Sequence, residues 1–593
     1  MKRKNIKSLA SKQQQWDSEL ILPRIEKRAS DNGNGFLLPT YSYDNTGGAF
    51  HLRDIIIAIQ RGDSCDSIRS LLSPHQTELQ SLKLKQEICG TVDDVPAFFF
   101  VVESGNVDMI RMWASYGGEV NTEYREVPLL VYAIVRCLSP KADGPVVVAT
   151  LLSLGASIDV IPPPFFLPID RDLPENGPSD TDLAAFKSPK TAWFVGPVRR
   201  LLTDALNSCY SLRYALHRAS VTEPLSGANQ AIAKKHSATE LLGVHYFLVG
   251  QTQACQSLVE IFMAELALGT DRPMVLLFVG PSGHGKTELA QNMGKLLSLD
   301  LLTVDCTNLR TPMDLFGPFF PFEGYDKGSA VNNFLDLHSS ERSIVFLDEF
   351  EKTEQKVRES LLLPFQRGVH VDRRNMKLVD CSKTIWILAT NAFDDTIHTF
   401  CKSHYKELFA NTVGIDRRAS QQARKLSKKL SATIRKCSIE TFGAPLTGRI
   451  TSVMPFLIFS PTEQAAVACK QMDRLGRKLA RPVKLCDDLK LYRPVGDIKL
   501  QIPFSYSVCK ALVSQGYDEQ LGARSIINTV DSEVALPLVT QYLAAREEIC
   551  EDEEESCFMI TVDADLGMIE VSEKQDTLLD EVGLTLNSLR GKI

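Results

Sequence analysis

The chain has 593 residues and a formal charge of −7, from 66 Lys and Arg against 73 Asp and Glu. At about 150 residues per domain, that is roughly four domains' worth of chain. Hydrophobic residues make up 44% and charged residues 23%, which excludes a disordered, fibrous or collagenous chain. A mildly acidic balance gives no prior for nucleic acid as the main partner. The longest apolar run, Leu129–Val135, is seven residues, against the ~20 needed to cross a bilayer, so no membrane span is expected. The 14 cysteines are scattered, with no C-x-x-C pair and no metal-ligand spacing to the ten histidines. They read as small buried side chains in a reducing compartment. No apolar stretch follows the basic start Met1-Lys2-Arg3-Lys4-Asn5, and Asp17, Glu19 and Glu26 disfavour a transit peptide. The expectation is a soluble intracellular protein, cytoplasmic in preference to mitochondrial.

In chain order, residues 1–48 are polar and end in Tyr43-Asp44-Asn45-Thr46-Gly47-Gly48, a loosely ordered segment. Over 49–161 a helix, a turn, a second helix and a Gly-terminated exit recur, with Pro96 and Pro128 separated by 32 residues. That period resembles ankyrin repeats, although no unit carries the full T-P-L-H start. Such pairs bury an apolar face only by stacking into a solenoid; an irregular helical domain is the other reading. Six prolines within Pro162–Pro178 make a linker or an irregular surface crossing. Val198–Arg218 looks helical and completes a segment 162–240. Patterned α/β sequence begins near Leu241, giving a large α/β domain over 241–459 and a small C-terminal domain over 460–593. In the latter, acids at Glu547-Glu548 and Glu551–Glu555 precede a hairpin of Cys557–Val562 and Met568–Val571.

Met274–Val279 is a continuous apolar run, as in a parallel strand covered on both faces. It leads into Gly280-Pro281-Ser282-Gly283-His284-Gly285-Lys286-Thr287 and then a helical stretch, which is G-x-x-x-x-G-K-T in its strand–loop–helix context. Backbone N–H groups of such a loop wrap phosphates, and the helix presents its positive end. Lys286 is expected on the β- and γ-phosphates of ATP and Thr287 on Mg²⁺. Ile344–Leu347 ends in Asp348 and Glu349. Alone, two acids after an apolar run would be a solvated turn. Paired with the loop, Asp348 is expected to hold Mg²⁺ and Glu349 to orient and deprotonate water. A third apolar run, Thr384–Thr390, ends in Asn391, which would help position that water. Strand ends converging on one edge are where open α/β sheets bind ligands.

Leu347-Asp348-Glu349-Phe350-Glu351-Lys352 resembles the L-D-E-x-E-K signature of Clp-type AAA+ unfoldases, in particular the second ATPase ring of ClpB. Gly285-Lys286-Thr287-Glu288-Leu289-Ala290 is similar to that family's G-K-T-E-L-A, and Val249-Gly250-Gln251 to the segment lying against adenine. Arg449 sits where an arginine finger falls, without the family's E-F-L-N before it. Gly516–Arg524 looks like the sensor-2 motif, placing Arg524 on ATP. The resemblance covers about 241–575. It implies an α/β P-loop AAA+ domain, with a parallel sheet and helices on both faces, and a small α+β lid, here preceded by the ankyrin-like solenoid. Ankyrin-like repeats joined to a single such ring are similar to the mitochondrial ClpB homologue.

The resemblance further implies a homo-oligomer, a hexamer, that hydrolyses ATP and threads unfolded or aggregated protein clients through a pore. Aligned on Gly324-Tyr325, the gripping aromatic of the pore loop is Phe322, with Glu323 and Tyr325 beside it; four phenylalanines here would otherwise be core. The ankyrin-like region would bind a protein partner by analogy. No I-G-F or I-G-L tripeptide of the kind that docks on ClpP-type peptidases is present. Arg417–Lys436 carries eight basic residues and no acid, which on a helix is a solvated face in preference to a nucleic-acid surface. Two alternatives stay open: an ATP-switched ankyrin scaffold with slow turnover, and a nucleic-acid-remodelling ring.

Overall fold

The computed structural model describes residues 52–72, 84–136, 143–186, 193, 196–222, 226–236, 238–269, 272–409, 417–486, 488, 490–546, 555–563 and 565–574. The segment 1–48 and the acidic stretch 547–554 lie outside these residues. Two compact units result: Met1–Phe166 with Leu173–Ser208, and Leu167–Asp172 with Cys209–Ile593. Among the described residues no helix is long and apolar enough to cross a membrane.

In the first unit, Leu52–Arg61 pairs with Cys65–Leu72, Ala97–Glu103 with Val107–Ser115, and Leu129–Arg136 with Gly144–Ser153. A hairpin leads into each of the last two pairs. Asp93 and Asp94 turn the first with φ of 49° and 65°, Arg125 and Glu126 the second with 50° and 69°. Two successive left-handed residues give the twist that a two-residue hairpin loop needs. Asn121 ties successive turns together, its amide donating to the Gly155 carbonyl (3.1 Å) and accepting from the Ser157 N–H (2.8 Å). The run Leu129–Val135 is wholly buried, a core helix. The Pro-rich segment is irregular, as proline dictates, yet Phe165, Phe166 and Leu173 are buried, so it is a packed crossing and not an open linker.

The stretch expected to be helical over 198–218 is helical, in two helices: Gly196–Ser208 and α1, Tyr210–Val221. Cys209 between them is extended, with φ −136° and ψ 94°. Asn-Ser-Cys is a run of weak helix formers, and Asn207 engages both backbone groups of Leu173 through its amide, at 2.9 and 3.1 Å.

The second unit is built on five parallel strands: β1 Met274–Val279, β2 Leu301–Asp305, β3 Ser343–Asp348, β4 Thr384–Thr390 and β5 Ser452–Pro455. Their order is β5-β1-β4-β3-β2. Alternation of side chains sorts the sheet into two cores. Leu276, Phe278, Ile344, Phe346, Ile385 and Ile387 face helices α2 (Thr252–Leu268) and α3 (Lys286–Leu297). Val275, Leu277, Val345, Leu347, Trp386 and Leu388 face the other side, where Leu430 and Ile434 of α4 (Arg417–Phe442) pack. The basic helix is therefore amphipathic, and its Arg424 pairs with Glu260 at 2.5 Å. A smaller body follows: α5 Pro461–Leu479, α6 Ser505–Gly516, α7 Ala523–Val530, and strands β6 Ile498–Gln501, β7 Ser556–Val562 and β8 Ile569–Glu573. These strands form one sheet, β6-β7-β8, over its own core of Met472, Leu512, Val530, Phe558 and Ile560.

Candidate nucleotide site

Because β1 and β4 are neighbours in register from Met274↔Ile385 to Val279↔Thr390, their ends deliver the Gly-rich loop and Asn391 to one place. β3 adds Asp348 and Glu349 from the other flank of β4. The loop runs from Gly280 to Gly285, with φ of 156°, 73° and 93° at Gly280, Gly283 and Gly285. A Cβ on Gly280 would lie 2.5 Å from the Phe456 carbonyl oxygen, and one on Gly283 would lie 2.1 Å from that of Leu521. Only glycine fits such close backbone approach.

Lys286 opens α3 and folds back over the loop. Its ammonium donates to the carbonyls of Gly280 and Pro281 and to Asn391 Oδ1 at 2.6 Å. Burial pulls it down to about 8, while Asp394, Asp348, Glu351 and Glu349 pull the other way. Asn391 Nδ2 in turn reaches Glu349 Oε1 at 3.4 Å, and the Asn391 N–H donates to Glu351 Oε1 at 3.3 Å. Glu349 sits at φ 53°, and its N–H donates to Asp348 Oδ1 at 3.1 Å. Glu351 Oε2 and Asp394 Oδ1 are buried without a hydrogen-bond partner among the described residues. Burial, with Lys286 opposing it, raises the Asp394 carboxyl to about 6. A caged cation, orphaned acid oxygens and a bare backbone cradle together fit Mg²⁺ and a polyphosphate.

The small body closes over this loop. Arg524 Nη1 donates to Ser282 Oγ at 2.9 Å, and the Ala523 N–H donates to the Gly283 carbonyl at 3.0 Å. His284 is fully buried, stacks on Phe459 with ring centroids 4.8 Å apart, and is pulled down to about 4 by burial. A Cβ on Gly522 would lie 2.7 Å from its ring.

Other sequence-marked residues fall elsewhere. Thr287 follows Lys286 in the first turn of α3, but Glu288 faces α5, pairing with Lys470 (2.6 Å) and Arg474 (3.7 Å). One residue further round a helix turns the side chain about 100° away, so Glu288 ties the large body to the small one and leaves the phosphate loop to its neighbours. Val249 is half-buried. Gly250 is held on both backbone groups, its N–H donating to Tyr214 Oη (2.9 Å) and its carbonyl accepting from Arg218 (2.8 Å). Arg449 bonds to Leu362, Gln366 and Pro445, none of them in the phosphate loop. In the loop after helix Pro312–Phe316, Phe316 is buried while Phe319, Phe320 and Phe322 are exposed at 43%, 71% and 48%. Phe322 meets Phe319 edge-on at 5.2 Å, as Tyr325 meets Phe320 at 5.5 Å, and Glu323 is exposed. Sequence reading passed over Glu351, Asp394, Tyr214 and Arg218. The L-D-E-x-E-K string did contain the first of them.

A parallel 5-1-4-3-2 sheet, a Gly-rich loop closing on a lysine, and a C-terminal lid define a P-loop nucleoside triphosphatase of the AAA+ class. Family models agree. Residues 271–453 match the AAA domain (Cdc48 subfamily), and residues 489–553 match the C-terminal, D2-small domain of ClpB protein. Among curated relatives, the chaperone protein ClpB of Chlamydia caviae is 24% identical over 271 residues, 44% of this chain and 27% of its own length. The mitochondrial disaggregase of Rattus norvegicus is 24% identical over 290 residues, 46% of this chain and 39% of its own. The ClpB of Dichelobacter nodosus is 22% identical over 308 residues, 50% and 31% respectively. The chain thus spans well under half the length of the relatives it matches. The matched residues form an AAA+ ATPase module of the ClpB type, an ATP-hydrolysing class of enzyme.

Proposed function

We propose that this chain is an ATP-driven protein unfoldase or disaggregase, acting as a ring, a hexamer, that draws clients through a central pore. The observation that carries the reading is the Lys286–Asn391–Glu349 chain, with Arg524 of the lid on the same loop. In this reading ATP lies on Gly280–Lys286, with Val249 and Gly250 beside the base, and Thr287 and Asp348 hold Mg²⁺. The bound Mg²⁺ would supply charge neutralisation across the β- and γ-phosphates. Lys286 would exchange its loop carbonyls for phosphate oxygens. Glu349 would take the proton of water positioned by Asn391. Arg449, committed here to Leu362 and Gln366, would serve a neighbouring subunit, where an arginine supplied in trans is worth ~10³–10⁵ in rate in GTPases. Arg524 would report the nucleotide state to the lid.

Phe322, exposed beside Tyr325, would grip varied side chains by area burial without reading sequence. A folded client is stable by only ~5–15 kcal/mol and opens locally for less, so stepwise holding of opened segments suffices to unfold it. The hairpin-led helix pairs, at an interval of 32 residues, support reading the first unit as ankyrin-like and as a client or adaptor surface.

Glu349→Gln tests the scheme. It should bind ATP normally, cut turnover by ~10²–10⁴ and abolish recovery of an aggregated reporter. The same helix pairs favour a second reading, a slow ATP-switched scaffold. Under it, Glu349→Gln would leave partner binding intact, and wild type would recover no reporter.

A further inference from the structure

Segments far apart in sequence bring sulfur and a carboxylate together on α5. Cys209 precedes α1, Cys469 and Asp473 stand one turn apart on α5, and Cys509 lies on α6. One ligand atom each from Cys209, Cys469 and Asp473 lies within 4.8 Å of the other two. Cys209 Sγ is 3.6 and 3.8 Å from the two Asp473 oxygens. Cys469 is buried and Cys209 half-buried, and Cys509 on α6 is buried as well. The Ser211 N–H, at the start of α1, donates to Cys469 Sγ at 3.3 Å.

We propose that Cys209, Cys469 and Asp473, with solvent in the fourth position, bind a zinc ion that fastens α1 to the lid helix α5. Tetrahedral zinc, with Zn–S about 2.3 Å and Zn–O about 2.1 Å, places sulfur and oxygen about 3.6 Å apart. The observed separation of Cys209 from Asp473 already has that edge length. Residues i and i+4 share one face of a helix, so Cys469 and Asp473 converge without backbone change. The Ser211 amide is an outer donor of the kind that orients a ligating thiolate. Sulfur-rich donors select zinc over magnesium or calcium. Binding displaces the thiol protons to water, and no redox change is required.

The test is metal analysis of the purified full chain grown with added zinc. About one zinc per chain is expected in wild type and in Cys89→Ser, an exposed thiol of the other unit. At least a tenfold loss is expected in Cys469→Ser/Asp473→Ala. A second measurement needs no variant: metal-free wild type titrated with Co²⁺ should give thiolate charge-transfer and tetrahedral bands that saturate at one equivalent and are erased by Zn²⁺. Zinc content in wild type no higher than in the double variant, or a Co²⁺ spectrum without thiolate charge transfer, would overturn the proposal. So would mass-spectrometric detection of a disulfide joining two of these cysteines as the resting state.

Discussion

Buried His284 makes the phosphate loop sensitive to acid in a calculable direction. Its imidazole is pulled from 6.5 to about 4, chiefly by burial, so the unfolded chain binds the extra proton first. Stability from this side chain is fully present above pH 6.5 and is lost as pH falls towards 4. The full contribution is on the order of 3 kcal/mol. Urea unfolding of nucleotide-free wild type should therefore steepen in pH dependence across that window, and His284→Leu should flatten it; identical slopes would reject the assignment. Lys286→Ala should abolish ATP binding, measured calorimetrically, because the loop loses its only lysine. At this scale, legibility followed contiguity. Gly280–Thr287, Asp348 and Glu349 stand at the ends of apolar runs, where a motif a few residues long defines both strand and site. Tyr214, Arg218, Asp394 and Cys209 reach their partners from distant segments, and no local pattern marks them. Nor does sequence mark the cysteine cluster, since 260 residues separate Cys209 from Cys469.

Among elements, β1, β3 and β4 were plain from continuous apolar runs, since a strand covered on both faces has no polar side to interrupt it. The break at Cys209 was not, because helical periodicity runs through it and only the contacts of its neighbours end the first helix. The loop from Gly317 to Ser329 shows what composition alone leaves open. Arg373 donates to the Gly317 carbonyl at 2.6 Å and Ser329 to that of Leu315 at 2.7 Å, pinning both feet. Phe319, Phe320 and Phe322 between the feet are exposed. Phe322→Ala should lower recovery of an aggregated reporter several-fold while leaving basal ATPase within about twofold. Equal recovery by both proteins would remove Phe322 from client contact. The pinning arginine, which also lies over the Phe316 and Phe319 rings, offers a second test: Arg373→Ala should free the loop and depress recovery while Phe322 itself is kept.

For the whole molecule, the decisive question is whether one subunit completes another. Arg449 bonds within its own chain to a helix away from the phosphate loop, so the proposed scheme requires a neighbour. Mixing Lys286→Ala subunits, which offer an arginine but bind no ATP, with Arg449→Ala subunits, which do the reverse, should restore part of the ATPase activity that each lacks alone. No gain on mixing would confine catalysis to single chains and remove the ring. The contact between loop and lid carries a separate consequence. Gly283 and Leu521 meet as bare peptide, with Gly522 against the His284 ring. Backbone packed this closely on backbone has no slack, so whatever spreads the loop must tilt the lid. Drift in surface residues would leave that transmission running, whereas one added methyl at either glycine would jam it.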